Sequence, residues 1–127
     1  MKIQCVLRLI FAGSLVALVT GCATTPSSGP AALAGTWTNS LGTVWTMRAD
    51  STFDVDRNHD GTRDIWGTYT VSGDTVTIQG TGGKTPKDCK GPGIYKFSRS
   101  GNTLSFTLES DTCRDRKKNV LLAWHQK

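Results

Sequence analysis

Acidic and amide side chains recur at alternate positions over residues 56–64, in the order Asp-x-Asn-x-Asp-Gly-x-x-Asp. This spacing lets their oxygen atoms converge on one hard cation, while Gly61 takes the tight turn that such a loop needs. The candidate calcium ligands are Asp56, Asn58, Asp60 and Asp64. The alternative is a solvated hairpin loop in which these residues serve the turn itself, because Arg57, His59 and Arg63 dilute its negative charge. The sequence leaves both interpretations open.

The cysteines are candidates for lipidation, disulfide formation or metal binding. Cys5 and Cys22 lie near the N-terminus, whereas Cys89 and Cys113 lie far along the chain. In an oxidising compartment an even pair forms a disulfide, so we predict a bond between Cys89 and Cys113. A metal site is the alternative, but it needs more ligands than two distant cysteines supply, and the sequence contains no Cys-x-x-Cys.

Catalysis finds little support in the sequence. His59 and His125 are its only histidines, and it contains no G-x-S-x-G motif. Pairing of Cys89 with Cys113 leaves no free nucleophilic thiol beyond the N-terminal region. We therefore expect a protein that is not an enzyme and, apart from the calcium hypothesis, one without a cofactor.

Residues 1–21 have the pattern of an export signal, with an early positive charge and an apolar run too short to span a membrane. The sequence Thr20-Gly21-Cys22 resembles the lipobox of bacterial lipoproteins. The resemblance implies cleavage before Cys22, acylation of that residue, palmitate included, and anchorage in the cell envelope. Because Ala23 follows, it also implies the outer membrane, facing the periplasm. The alternative is a plain secretory signal with an incidental cysteine.

The remaining chain divides into a tether and a domain. Residues 22–34 are rich in Thr, Pro, Ser, Gly and Ala and have no apolar period, which indicates a lipidated flexible tether. Residues 35–127 show alternation of apolar and polar residues, which is typical of strands. The pattern predicts eight strands, at residues 35–40, 43–49, 52–56, 64–71, 75–79, 93–99, 103–109 and 119–125.

The lengths of the connections predict how these strands are arranged. Tight turns are expected at residues 49–51, 72–74 and 100–102, and long loops at 57–63, 80–92 and 110–118. In an up-and-down order every second connection emerges at the same end, so the long loops share one rim. Eight such strands predict an all-β, closed antiparallel barrel that removes exposed edges. A two-sheet sandwich is the alternative.

Several short segments resemble small bacterial lipocalin-like lipoproteins. They are Gly35-Thr36-Trp37, Gly67-Thr68-Tyr69, Gly93-Ile94-Tyr95, Leu104-Ser105-Phe106, Asp111-Thr112-Cys113, Arg116 and Trp124. The resemblance implies a barrel that binds a small apolar or amphipathic ligand. The expected walls of that site are Trp45, Tyr69, Tyr95 and Phe106. If these aromatics fill the interior instead, the protein is an interaction or inhibitor module that presents its long-loop rim to an envelope protein.

The opening segment Gly35–Gly42 is also similar to the first strand of avidin-type biotin binders. That resemblance implies that Asn39, Thr43 and Tyr69 hydrogen-bond a ligand ring.

Charge restricts the partners further. The net charge of +5 is mild and lacks the dense basic face of a nucleic-acid binder, so no nucleic-acid partner is expected. The two cystine-linked loops do carry a predicted basic patch, formed by Lys84, Lys87, Lys90, Arg114, Arg116, Lys117 and Lys118. Such a patch suits anionic headgroups or glycans, or is a solvated face.

Overall fold

A computed structural model describes residues 28–127 of the chain. The proposed export signal, the proposed lipidation site Cys22 and most of the proposed tether lie outside the described residues. Within residues 28–127, no helix is long and apolar enough to cross a membrane.

Eight antiparallel strands form a closed barrel in this part of the chain. They are β1 (Gly35–Thr38), β2 (Val44–Met47), β3 (Thr52–Asp56), β4 (Ile65–Ser72), β5 (Thr75–Gly83), β6 (Gly93–Ser100), β7 (Thr103–Ser110) and β8 (Trp124–Gln126). Each strand pairs with its neighbours along the chain, and β8 closes the barrel on β1 through Trp37 opposite Gln126. The structure confirms the predicted up-and-down barrel.

The last predicted strand, residues 119–125, is wrong over most of its length. A helix, α1 (Arg114–Val120), occupies most of the predicted loop 110–118 and ends inside the predicted strand, and only the short β8 follows it. Cys113 caps this helix, because its Sγ accepts a hydrogen bond from the backbone N–H of Arg116 at 3.2 Å. An acidic residue in the first turn and two lysines in the last turn suit the helix dipole. Because α1 is almost entirely polar, no apolar period indicates it in the sequence.

Strand β5 is longer than predicted, because it continues through a glycine-rich stretch that we had assigned to a loop. A Cβ atom on Gly67 would lie 2.0 Å from the carbonyl oxygen of Gln79, and one on Gly83 would lie 2.2 Å from that of Asp64. The pairing of β4 with β5 also shifts register between Trp66 and Gly67. These glycines therefore permit close backbone approach at an irregularity in the ladder rather than ending the strand.

The tight turns lie at one end of the barrel, which we call the closed end. Residues 29–34, which we had assigned to the tether, pack there as a 3₁₀ turn (Gly29–Ala32) followed by the fully buried Leu33. The indole Nε1 of Trp37 donates to the carbonyl of Leu33 at 3.0 Å. The Tyr69 hydroxyl lies 3.1 Å from the carbonyl of Pro30. The ordered domain thus begins before Gly35.

Aromatic side chains fill most of the barrel interior. The ring centroid of Trp45 lies 5.1 Å from that of Trp124 and 5.6 Å from that of Phe106, and Tyr95 packs edge-on against Phe106. Such aromatic contacts add to the stabilisation that burial of these large side chains provides.

Candidate ligand-binding site

The long loops surround the other end of the barrel, which we call the mouth. A cavity of about 230 Å³ opens there. Its apolar wall includes Trp45, Phe53, Val55, Ile65, Ile78 and Val120, and charged residues at its edge are Arg57, Asp115, Arg116 and Lys118. The volume lies below the roughly 300 Å³ at which drug-sized pockets begin. The cavity therefore suits a small ligand or the apolar part of a larger one.

Two polar atoms of the cavity wall are buried without a partner. They are the indole Nε1 of Trp45 and the hydroxyl Oγ1 of Thr85, neither of which has a hydrogen-bond partner among the described residues. Burying an unsatisfied donor costs about 1–3 kcal/mol, so native proteins rarely leave one. By contrast, the buried indole of Trp124 donates to the carbonyl of Val120 at 3.1 Å.

The predicted disulfide is confirmed: Cys89 and Cys113 are bonded, with a Cα–Cα distance of 4.4 Å. The bond joins the short 3₁₀ helix at Lys87–Cys89 to the start of α1. Both cysteines line the cavity. The disulfide therefore holds two loops of the mouth together as one wall.

A buried ion pair supports the same wall. Arg116 Nε lies 2.6 Å from Asp111 Oδ2, and Arg116 Nη2 lies 2.7 Å from Asp111 Oδ1, so the pair is bidentate. The side chain of Asp111 is 0% exposed, and it also accepts hydrogen bonds from the Tyr95 hydroxyl and the Cys113 N–H. A Cβ atom on Gly93 would clash with both members of the pair.

The charge state of this cluster follows from its contacts. Burial alone raises the pKa of Asp111, but the hydrogen bonds from Arg116, Tyr95 and the Cys113 N–H outweigh it and leave that pKa below its ordinary value. Burial, with the bond to Asp111, raises the pKa of Tyr95 well above its usual range. The tyrosine stays neutral and the carboxylate stays charged. In the sequence, Asp111 belongs to a segment that carries the resemblance and Arg116 also belongs to the predicted basic patch, but two residues five positions apart give no sign that they pair.

Asn39 and Thr43 form a polar cluster in the rim of the mouth rather than in the cavity. The Asn39 side chain accepts from the N–H groups of Leu41 and Thr43, which holds the β1–β2 turn. The Thr43 hydroxyl donates to Asn119 Oδ1 at 2.8 Å, and Asn39 Nδ2 donates to the same atom at 3.2 Å. Their polar groups thus fasten the rim to α1 and are not aimed at a ligand.

The six predicted ligand-binding residues occupy four places in the barrel. Trp45 lines the cavity; Asn39 and Thr43 lie in the rim. Tyr69 lies at the closed end, on the far side of the interior from the mouth. Tyr95 and Phe106 fill the interior and do not line the cavity. The structure therefore brings only Trp45 of this set to the candidate site.

The acidic loop does not bring the proposed calcium ligands together. Asp56 accepts hydrogen bonds from the N–H groups of Asp60 and Gly61, and Asp60 accepts from that of Thr62. These bonds are those of a turn, as the alternative interpretation supposed. Among the residues that the structure describes, no three His, Cys, Asp or Glu side chains are grouped to hold a metal ion.

Asp64, the last of the four proposed ligands, faces other partners. It accepts from the backbone N–H of Arg57 at 2.8 Å and pairs with the Lys84 ammonium at 3.2 Å. The Arg57 N–H, together with Lys84, lowers the pKa of Asp64. Asn58, the remaining proposed ligand, lines a separate shallow pocket.

The predicted basic patch is only partly present. The charge of Arg116 is neutralised in the buried pair with Asp111, and that of Lys84 is paired with Asp64. Exposed positive charges remain on the mouth at Lys87, Lys90, Arg114 and Lys118, and Arg57 adds one that we had not assigned to the patch. The mouth is thus positive, but less densely than expected.

Comparison of the chain with family models, with curated proteins and with solved structures yields no match. The function must therefore be argued from the site itself.

Proposed function

We propose that this chain is a lipid-anchored protein of the cell envelope whose barrel binds a small apolar or amphipathic molecule at its mouth. The observation that carries the proposal is the apolar cavity at the mouth, with Trp45, Val55 and Ile78 among its lining residues. An apolar ligand, or the apolar part of an amphipathic one, matches this wall. The small volume limits the ligand, or its buried part, to a modest size.

The proposed anchor agrees with the way the chain enters the barrel. The described chain starts at Ser28, beside the closed end, where Pro30 and Leu33 are packed. Between Cys22 and Ser28 a fully extended chain reaches about 21 Å at most. A lipid on Cys22 would therefore hold the closed end near the membrane and leave the mouth open to the periplasm. In this arrangement the ligand arrives from water, not from the bilayer.

Binding, rather than catalysis, suits the composition of the cavity wall. Of the described residues that line the cavity, Asp115 is the one carboxylate, and no histidine is among them. The cavity cysteines are bonded to each other. Within residues 28–127, the wall thus supplies apolar contact area without an acid–base pair or a free thiol.

The test is to fill the cavity and measure binding of a small apolar alcohol, octanol, by calorimetry. Val55 lines the cavity, whereas Val71 packs against the same core away from it, and both are partly buried. Val55→Phe is expected to abolish octanol binding because the added ring occupies the space. Val71→Phe serves as the matched control and is expected to bind as the wild type does. No octanol binding to the wild type, or equal binding to Val55→Phe, would contradict the proposal.

An interaction module is the second candidate, because two large apolar side chains are exposed on connections that frame the mouth. Leu41 is 51% exposed and Leu121 is 43% exposed. A partner that covers them would be blocked by Leu41→Ser but not by Val55→Phe. Biotin-type binding is not proposed, because Asn39 and Thr43 are bonded to α1 and Tyr69 lies at the closed end.

A further inference from the structure

We infer that the ligand is an amphipathic anion, with an apolar tail in the cavity and a carboxylate beside Arg57. This inference rests on the proposed function and names the class of ligand. Arg57 lines the apolar cavity and also a second, shallow and polar pocket of about 330 Å³ next to it. The other residues of that pocket are Asn58, Asp64 and Lys84. Arg57 therefore stands at the boundary between an apolar and a polar space, where the head of an amphipathic ligand would lie.

The balance of charge at this boundary favours an anion. Four charged residues line the cavity, and one of them, Arg116, is already neutralised by Asp111, which lies outside the lining. Arg57 and Lys118 form no ion pair within the described residues, and neither does Asp115. In the polar pocket, Asp64 and Lys84 neutralise each other. The unpaired charges of the residues that line the two pockets thus sum to one excess positive charge, next to an apolar wall.

A carboxylate suits the Arg57 side chain in shape as well as in charge. Its two oxygen atoms can accept two parallel hydrogen bonds from the planar guanidinium. The Arg57 side chain makes no hydrogen bond of its own in the described structure, since its bonds to Asp64 and Thr43 use the backbone N–H and carbonyl. Changing the side chain therefore leaves the loop geometry intact.

The experiment compares three eight-carbon probes of different charge, namely octanoate, octanol and octylammonium, in calorimetric titrations of the purified protein at neutral pH and about 0.15 M salt. Octanoate is expected to bind most tightly and octylammonium most weakly. Arg57→Gln is expected to weaken octanoate binding about ten- to a hundredfold, the loss of one charge-assisted hydrogen bond. Its effect on octanol should stay below about twofold, because no charge is involved.

Arg114→Gln is the matched control. Arg114 is an exposed residue of α1 that lines neither pocket, and its substitution removes the same charge from the mouth. It is expected to change octanoate binding by less than about twofold, because an exposed charge at a distance is screened by salt. A chain-length series should add affinity by about fourfold per CH₂ until the cavity is full.

The outcomes separate this inference from the proposed function. If octanol binds the wild type as tightly as octanoate does, the cavity binds ligands but the inferred anion is wrong. If Arg57→Gln and Arg114→Gln weaken octanoate binding equally, the effect comes from the overall positive charge of the mouth, and the specific role of Arg57 is refuted. If none of the three probes binds, the proposed function fails, and the inference fails with it.

Discussion

The two ends of this barrel are held together by different interactions. At the closed end, the buried indole of Trp37 and the hydroxyl of Tyr69 both reach carbonyl groups, and Leu33 fills the remaining space. At the mouth, a disulfide and a buried ion pair hold the loops, and the indole of Trp45, beside an open cavity, has no hydrogen-bond partner among the described residues. The closed end is thus held by packing and by hydrogen bonds between neutral groups. The mouth is held by a disulfide and an ion pair in its loops, and its interior contains an unfilled cavity.

The largest effect is expected from Arg116→Met, because it breaks the brace of the mouth and leaves the charge of Asp111 buried and unpaired. Loss of one partner of a buried pair costs about 3–5 kcal/mol. The free energy of unfolding, measured with urea, is expected to fall by that amount. The double variant Asp111→Asn with Arg116→Met removes both charges and should recover part of the loss. A single variant as stable as the wild type would show that the mouth does not depend on this pair.

This effect should depend on pH in a definite sense. The pKa of Asp111 is below its ordinary value in the folded protein, so its contribution is present above the unfolded pKa of about 3.9 and is lost as pH falls through the folded value. The difference in stability between wild type and Arg116→Met should therefore shrink in acid. An unchanged difference at all pH values would contradict the ionised state assigned to Asp111.

Removal of the disulfide is expected to have the next largest effect. The bond closes a loop with a sequence separation of 24 residues, and the chain-entropy model gives about 3 kcal/mol for a loop of this size. The double variant Cys89→Ala with Cys113→Ala should lose about that much unfolding free energy and bind octanol more weakly, since both cysteines line the cavity. A loss of stability with unchanged binding would mean that the disulfide braces the fold but not the site.

A pair of conservative substitutions compares the two ends directly. Trp37→Phe deletes a donor that satisfies the carbonyl of Leu33, whereas Trp45→Phe deletes a donor with no partner. Both lose similar packing, so Trp37→Phe should be the more destabilising by about 1–3 kcal/mol, the cost of an orphaned buried polar group. Thermal and urea unfolding would measure the difference. Equal losses of unfolding free energy would show that the hydrogen bond of Trp37 does not distinguish the closed end from the mouth.

The smallest effect is expected from calcium. Because Asp56 and Asp60 bond to backbone N–H groups of their own turn, about 10 mM calcium, ten times the weak limit for extracellular sites, should leave the melting temperature unchanged. Asp60→Ala serves as the control. A saturable calcium isotherm that Asp60→Ala abolishes would restore the loop as a metal site and add a second functional feature to the mouth.

The sequence predicted the barrel well because strand alternation and turn chemistry are local. The tight hairpins at residues 72–74 and 100–102 join strands at the predicted places. The errors at α1 and at the end of β5 share one cause. Polar and glycine-rich segments have no periodic pattern of apolar residues from which a helix or strand could be predicted. Helix α1 and the glycine-rich end of β5 are stabilised by a cap and by close backbone approach, and neither appears in a pattern of hydrophobicity.

The candidate site was predicted less well for a related reason. Alternation placed Trp45, Tyr95 and Phe106 on the inner face, and all three are buried there. It says nothing about depth along the barrel axis, which decides that only Trp45 reaches the cavity. Arg57 was weighed only as a charge that dilutes the acidic loop, and its place at the edge of the cavity follows from the fold of that loop.

What the sequence alone determined are the properties that depend on neighbours in the chain: the number and order of strands, the end at which the long loops meet and the pairing of Cys89 with Cys113. Only the tertiary structure decided which polar groups bond to one another and which have no partner among the described residues. Asp111 pairs with Arg116 and Tyr95, Asn39 bonds to Asn119, and the indole N–H of Trp45 has no partner in the part of the chain that the structure describes. Those outcomes are set by distances across the barrel, where a shift of a few ångströms makes or breaks a hydrogen bond.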